Sequence, residues 1–332
     1  MKLHTINTGL FKLDGGAMHG VVPKSMWNKA NPADENNLCT WAMRCLLMEE
    51  NNKLILIDTG MGNKQDEKFF SHFHPHGDDS LEKSLNALNF STDDITDVFL
   101  THLHFDHCGG AIKRDGEKLI PAFKNATYWS NETHWNSAIQ PNAREKASFL
   151  KENILPIQES GQLKLIEHKE GISFTDNMEI RFMNGHTDSM MLPLINYNGQ
   201  KILYCADLIP SAAHISLPWV MGYDMRPLDT LSEKEKVFSG VISKKSSLEL
   251  NVSKDMQLIL LPGNDYGAIP NEYKNYFKHL TSHFCSIDFN YEYALRQIYS
   301  IGYVNSKKAK ILIEGILGEV INISDTDGIL SN

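Results

Sequence analysis

Four side chains able to bind a metal ion fall within six residues of one loop, here called the histidine loop (residues 101–110): His102, His104, Asp106 and His107. His102 and His104 are two positions apart, so in an extended segment they project to the same side and can share one ion. Asp106 and His107 are adjacent, and in a turn they can diverge toward a second ion. Imidazole and carboxylate suit zinc or a similar borderline metal better than calcium or magnesium.

The residues around the histidine loop predict how it is held. Residues 95–100 form an apolar, β-branched run that is typical of a buried strand. Gly109 and Gly110 follow the ligand types and suit a tight turn of the backbone. The cluster is therefore expected in a loop at the end of a strand. A histidine-rich surface loop is the alternative, and the close spacing of the four ligand types disfavours it.

Two more ligand types follow predicted strands later in the chain. His186 comes after a strand predicted over residues 178–183, and Asp207 comes directly after one predicted over residues 201–206. Alone, each would be interpreted as structural. Together with the histidine loop they supply the missing ligands of a two-metal site.

Two other polar segments have weaker claims to a site. Asp58 follows a strand predicted over residues 53–57, and it could face a site, support one or only make a turn. A second histidine cluster, residues 71–79, contains Pro75 and Gly77 and follows no buried strand. We interpret it as a solvated loop, with a metal role as the alternative.

Composition restricts the class of protein. The chain has 332 residues, enough for one large or two modest domains, and its 42% apolar and 22% charged residues are typical of a globular protein. A net charge of −9 argues against nucleic acid as a partner, and no apolar run predicts a membrane span. Five widely spaced cysteines and no signal-like N-terminus predict reduced thiols and a cytoplasmic protein.

Hydrophobic periodicity and turn residues predict an alternation of strands and helices. A strand pair is expected at residues 2–14, followed by a long loop to residue 37 whose apolar residues, Met18, Val21 and Trp27 among them, are either core or a lid. Further strands are expected at residues 38–48, 53–57, 126–129, 162–167, 178–183, 191–197, 201–206, 257–261 and 310–313. Helices are expected at residues 81–88, from residue 130, and at 143–151, 230–237, 271–280 and 290–298.

Four pieces of the sequence, in this order, resemble the metallo-β-lactamase superfamily: residues 58–60, 102–107, 185–187 and 206–207. The resemblance covers roughly the first 240 residues, and residues 243–332 match the family poorly. It is nearest to the lactonase and organophosphate-hydrolase branch, because of the long N-terminal loop and the long stretch between His107 and His186, which leaves room for a helical insertion. It implies a single α/β domain with a four-layer αβ/βα sandwich.

The resemblance also implies a ligand set for two zinc ions. One metal is expected on His102, His104 and His186, the other on Asp106 and His107, with Asp207 bridging both. Asn264 stands where the family has its last histidine ligand, so occupation of the second site is left open.

The expected activity is metal-dependent hydrolysis, in which a metal-bound hydroxide opens a lactone or cleaves a carboxylic ester, as in quorum quenching. Asp106 is expected to act in catalysis through proton transfer or as a ligand only, and Asp207 by bridging. The alternatives are a phosphotriesterase or β-lactamase with the same metals, and a degenerate, non-catalytic member. The expected partner is a small-molecule substrate, and a homodimer is a further expectation.

Overall fold

The computed structural model describes residues 1–242 and 258–262 of the chain. Expectations that fall on other residues lie outside this description: those for Asn264, Cys285, the helices at 271–280 and 290–298, and the strand at 310–313. The single-domain interpretation of residues 1–332 therefore stays a prediction. Among the helices of the described part, none is both long and apolar enough to cross a membrane.

The strands of the described residues, in chain order, are β1 (Lys2–Asp14), β2 (Leu38–Glu50), β3 (Lys53–Ile57), β4 (Asp97–Phe99), β5 (Ile112–Asp115), β6 (Lys118–Pro121), β7 (Thr127–Asn131), β8 (Leu163–Ile166), β9 (Ser173–Thr175), β10 (Met178–Met183), β11 (Met190–Tyr197), β12 (Gln200–Ala206) and β13 (Leu258–Pro262). The α-helices are α1 (Gly15–His19), α2 (Lys24–Trp27), α3 (Glu67–Phe73), α4 (Leu81–Ala87), α5 (Phe105–Cys108), α6 (Glu132–Ile139), α7 (Lys151–Glu159) and α8 (Pro227–Ile242).

The strands form two main sheets. The first has the order β1-β2-β3-β4-β7-β8, and the second has the order β13-β12-β11-β10-β9. In the first sheet β3, β4, β7 and β8 are parallel, so their carboxyl ends lie at one edge. In the second sheet β10 and β12 both pair antiparallel with β11 and therefore point the same way. Loops that follow these strands can thus meet at one end of the sandwich.

Side-chain alternation along β2 shows how the layers are packed. Leu46 and Met48 join a buried cluster with residues of β10, β11 and β12, between the two sheets. Cys45 and Leu47 point the other way, into a cluster with residues of α4, α6 and α7. The first sheet is therefore covered on one face by the second sheet and on the other by helices. Helix α8 contributes Val237 to the cluster between the sheets.

The expectation of a strand pair at residues 2–14 is wrong. Residues 2–14 form one continuous strand, paired with β2 on both sides of an irregularity between Asn7 and Leu10. Gly9 lies there with a φ of 115°, so it forms a bulge and not a hairpin turn. The connections between β2 and β3 and between β11 and β12 are tight hairpin turns, in which Asn51, Asn52, Asn198 and Gly199 all have positive φ.

The helix expected at residues 143–151 is also wrong. These residues are mostly turns, and α7 begins only at Lys151. The Asn142 side chain accepts hydrogen bonds from the backbone N–H groups of Arg144 and Glu145, which holds a turn in place of a helix. Two helices, α6 and α7, nevertheless form an insertion between β7 and β8, within the stretch from His107 to His186 that was expected to leave room for one.

The long N-terminal loop contains two short helices, α1 and α2, and its apolar residues divide between core and surface. Met18 and Trp27 are buried in a third cluster, whereas Val21 is 96% exposed. The second histidine cluster begins in α3, and its histidines His72, His74 and His76 are exposed, as expected of a solvated segment.

Candidate metal centre

The metal-capable side chains follow strands of both sheets and lie together at one end of the sandwich. The histidine loop follows β4, His186 lies beyond the end of β10, and Asp207 directly follows β12. Two groups of possible ligands form there, and within each the ligand atoms lie within 4.8 Å of one another. Their members are His102, His104, His186 and Asp207 in the first group, and Asp106, His107 and Asp207 in the second.

Asp207 faces both groups with different oxygens. Its Oδ2 lies 3.2 Å from His186 Nε2 and 3.9 Å from His102 Nε2. Its Oδ1 lies 3.2 Å from His107 Nε2. A carboxylate in this position can place one oxygen on each of two neighbouring ions.

The unpartnered ring nitrogens show that a metal fits here. Within the described residues, Nε2 of His102 and Nε2 of His107 are buried without a hydrogen-bond partner. Buried polar atoms are rarely left in this state, because desolvation without a new partner costs about 1–3 kcal/mol each. A cation among imidazole and carboxylate groups would supply the missing interaction.

The outer nitrogens of three histidines are held by neighbouring groups. Nδ1 of His107 lies 2.9 Å from Asp58 Oδ2, and Nδ1 of His186 lies 2.8 Å from Asp224 Oδ1. Nδ1 of His102 lies 3.1 Å from the hydroxyl of Thr101. Such partners would hold the ring proton on Nδ1 when an ion binds, so that Nε2 is free to act as the ligand atom.

Asp58 supports the site and does not enter either ligand group. Besides His107, its carboxylate accepts hydrogen bonds from the backbone N–H of Thr101 at 2.9 Å and from the Thr101 hydroxyl. The Tyr204 hydroxyl donates to it at 3.4 Å. Asp58 has a φ of 60°, a conformation that aspartate tolerates better than most residues.

Backbone strain directly precedes Asp207. Ala206 has a φ of 40°, which costs a residue with a Cβ about 1–2 kcal/mol. Strain of this kind persists where surrounding contacts fix it, and it is common at functional sites. Here it lies at the end of β12, where the chain turns to present Asp207.

Gly109 and Gly110 are needed for close packing and not for an unusual φ. A Cβ on Gly109 would lie 2.1 Å from the Met61 carbonyl oxygen, and one on Gly110 would lie 2.2 Å from the Thr59 carbonyl oxygen. The histidine loop therefore rests directly on the backbone that follows β3.

Charge in the site is distributed unevenly. Burial, together with the neighbouring His107, lowers the pKa of His102 well below its usual value, so its ring is neutral. Burial alone would also lower the pKa of His107, but Asp207, Asp106 and Asp58 raise it well above the usual value. This part of the site thus attracts positive charge, which a proton or a metal ion can supply.

Sequence reasoning anticipated the six clustered residues but missed some of their supports. Glu145, whose Oε1 lies 3.7 Å from His104 Nε2, falls in a stretch expected to be helical. His134 accepts a hydrogen bond from the backbone N–H of Leu103 at 2.8 Å, which links α6 to the histidine loop. Neither residue belongs to a recognisable motif, so nothing local in the sequence marks it. The question of the last ligand at Asn264 lies outside the described residues.

An α/β sandwich with histidine and aspartate groups at the strand ends defines the class of protein, and comparisons with known proteins agree. A family model described as the metallo-beta-lactamase superfamily matches residues 44–239. The chain belongs to this superfamily, which confirms the expected fold class.

Individual relatives come from the lactonase branch, as expected. N-acyl homoserine lactonase from Bacillus thuringiensis is 27% identical over 165 residues, which are 47% of this chain and 56% of that protein. The chain thus spans little more than half of the length of this curated relative.

Solved structures extend the similarity of the fold. A probable metal-dependent hydrolase from Staphylococcus aureus aligns with a TM-score of 0.70 and 29% identity, covering 80% of this chain and 89% of that one. AidC, a dizinc quorum-quenching lactonase in complex with a product, aligns with a TM-score of 0.59 and 22% identity. The alignment covers 81% of this chain and 91% of that one. These relatives are hydrolases, and the histidine–aspartate cluster of this chain forms a site suited to a metal.

Proposed function

We propose that the protein is a metal-dependent hydrolase that opens a lactone or cleaves a carboxylic ester. The observation that carries the proposal is the position of Asp207, whose two oxygens face two separate sets of possible ligands. Such an arrangement suits two ions sharing one carboxylate. The nitrogen and oxygen ligands favour zinc.

Each residue has a proposed role. His102, His104 and His186 would hold one ion, Asp106 and His107 would hold the other, and Asp207 would bridge them. Bound metal would supply Lewis-acid polarisation of the substrate and water activation at neutral pH. Asp106 is the one member of the two groups that is only partly buried, so it can also exchange a proton with solvent or substrate.

An aromatic surface beside the centre supports an apolar acyl group as part of the substrate. Phe105 lies between His104 and Asp106, and its ring packs against Phe73 and Phe69 of α3 with centroid distances of 4.5 and 5.4 Å. Phe69 and Phe73 are partly exposed. Met18 and Trp27, for which a lid was one expectation, are buried in the core together with Trp219 and do not contribute to this surface.

Purification without chelators, followed by metal counting and a substrate panel, tests the proposal. We expect zinc in the protein and hydrolysis of acyl lactones or esters that disappears in His104→Ala. β-Lactams and phosphotriesters belong in the panel, since the same metals could act on them. Full activity in His104→Ala would contradict the proposed centre, and a metal-free, inactive protein would favour the degenerate alternative.

The identity of the small-molecule substrate, the homodimer and the cytoplasmic location stay predictions.

A further inference from the structure

Glu145 brings a buried carboxylate from the insertion between β7 and β8 to the edge of the metal centre. It is 5% exposed, and its Oε1 lies 3.7 Å from Nε2 of His104. The Thr187 hydroxyl donates to Oε1 at 2.6 Å, and the Asn142 amide donates to Oε2 at 2.6 Å. The Glu145 carboxylate is thus fixed by two hydrogen bonds, with Oε1 facing the ring of His104.

His104 is oriented differently from the other histidines of the centre. His102, His107 and His186 each turn Nδ1 toward an outer hydrogen-bond partner. His104 instead turns Nδ1 inward, where it lies 3.1 Å from Nε2 of His186. Its Nε2 is buried and, within the described residues, has no hydrogen-bond partner, although Glu145 faces it.

The tautomer of His104 decides whether it can bind an ion in this orientation. A neutral imidazole carries one proton, so an inward Nδ1 with a free lone pair requires the proton on Nε2. A carboxylate that faces Nε2 favours the tautomer with the proton on Nε2, because it can accept a hydrogen bond from that proton. Without the carboxylate, nothing would hold the proton at Nε2.

We propose that Glu145 is a positioning residue that holds His104 with Nε2 protonated, so that Nδ1 is the metal ligand. The inference rests on the proposed metal site and assigns a function to the insertion. Thr187 is the neighbour of His186 in the chain, so its hydrogen bond to Glu145 joins the supports of two ligands that come from different sheets.

The affinity of the full-length chain for zinc, measured by competition with a chelating indicator, tests this role of Glu145. We expect Glu145→Ala to bind the tightest zinc ion about 10–100-fold more weakly than the unmodified protein. Glu145→Gln keeps an oxygen that accepts from Nε2–H and should recover affinity to within about 10-fold of the unmodified protein, since a neutral acceptor is weaker than a charged one.

The matched control is Glu152→Gln, also in the insertion, where the carboxylate accepts from Gln65 at 3.0 Å and not from a ligand histidine. It should leave zinc affinity unchanged. Unchanged affinity in Glu145→Ala would overturn the inference while the metal site itself stands. Failure of the unmodified protein to bind zinc would instead remove the proposed function.

Nitrogen-15 NMR of labelled histidine gives a readout that a purely structural role would not change. In the zinc-loaded protein we expect the His104 resonance of a ring protonated at Nε2, and a ring protonated at Nδ1 would overturn the inference. If Glu145→Ala does not fold, as judged by circular dichroism, Thr187→Val provides the affinity test. It removes one anchor of the carboxylate and should weaken zinc binding in the same direction, and unchanged binding would count against the proposal.

Discussion

The two ligand groups of the centre differ in burial and in the number of their members. The first group has four members, all buried, and three are histidines. The second has three members, and Asp106 is only partly buried. More ligands and less access to water favour tighter binding, so the first group should hold its ion more firmly. We therefore expect one firmly bound ion and one more easily lost ion on either side of Asp207.

The largest expected effect comes from removing the shared member. Asp207→Ala takes one ligand from each group and leaves His107 and His186 without their facing carboxylate oxygens. Changes to the hydrogen-bond partners of metal ligands typically cost up to about 100-fold in activity, and we expect the loss of Asp207 itself to cost more. Mass spectrometry of the intact protein would measure the accompanying loss of metal. Retention of full metal content would show that the two groups do not share Asp207.

Metal removal should separate the two groups. Titration with a chelator is expected to remove the ion of the second group first, giving two phases in metal content. Because a bound ion stabilises the folded state by about 2.7 kcal/mol when its concentration is a hundred times its Kd, the melting temperature should fall most in the later phase. A single phase would contradict the difference between the groups.

Asp106→Asn changes only the second group. We expect metal content to fall from about two ions toward about one per chain, because an amide is a weaker ligand than a carboxylate. Equilibrium dialysis with zinc measures the change, and the exposed Asp79→Asn is a suitable control. Equal loss of both ions would indicate that the groups cannot bind independently.

The support of His107 offers a finer test. Asp58→Asn removes the charged acceptor of His107 Nδ1, and it should weaken the second ion by about 10–100-fold while the first is less affected. Isothermal titration with zinc resolves the two affinities. An effect confined to the first ion would reverse the assignment of His107.

The smallest effect should be on the substrate. Phe73→Ala removes part of the aromatic surface beside Phe105, with an expected loss of about 1–2 kcal/mol in binding an apolar acyl chain. KM should rise for long-chain lactones and change little for short-chain ones. An equal rise for both would mean that the ring does not contact the chain.

The sequence was most informative where ligand types follow strands. The histidine loop, His186 and Asp207 could be anticipated because each lies beyond an apolar run, and such strand ends meet at one edge. The fold class was implied by the resemblance of the same motifs, in their order, to the metallo-β-lactamase superfamily. Single-residue features were harder, since Gly9 allows either a turn or a bulge, and only its pairing partner β2 decides between them.

The supports of the site depend on contacts distant in sequence and could not be anticipated. Glu145 meets Thr187, 42 positions away in the chain, and Asp224 meets His186 at a separation of 38. A glutamate in a turn or an aspartate in a loop has no local pattern that distinguishes it from a solvated one. Their roles become visible only when the strands bring the loops together.

Anomalous diffraction at the zinc edge, from crystals grown with zinc, would locate the bound ions. We expect two peaks, one among His102, His104 and His186 and one beside Asp106 and His107, with Asp207 in contact with both. A map without a peak between these residues, or with zinc bound only elsewhere, would contradict this expectation.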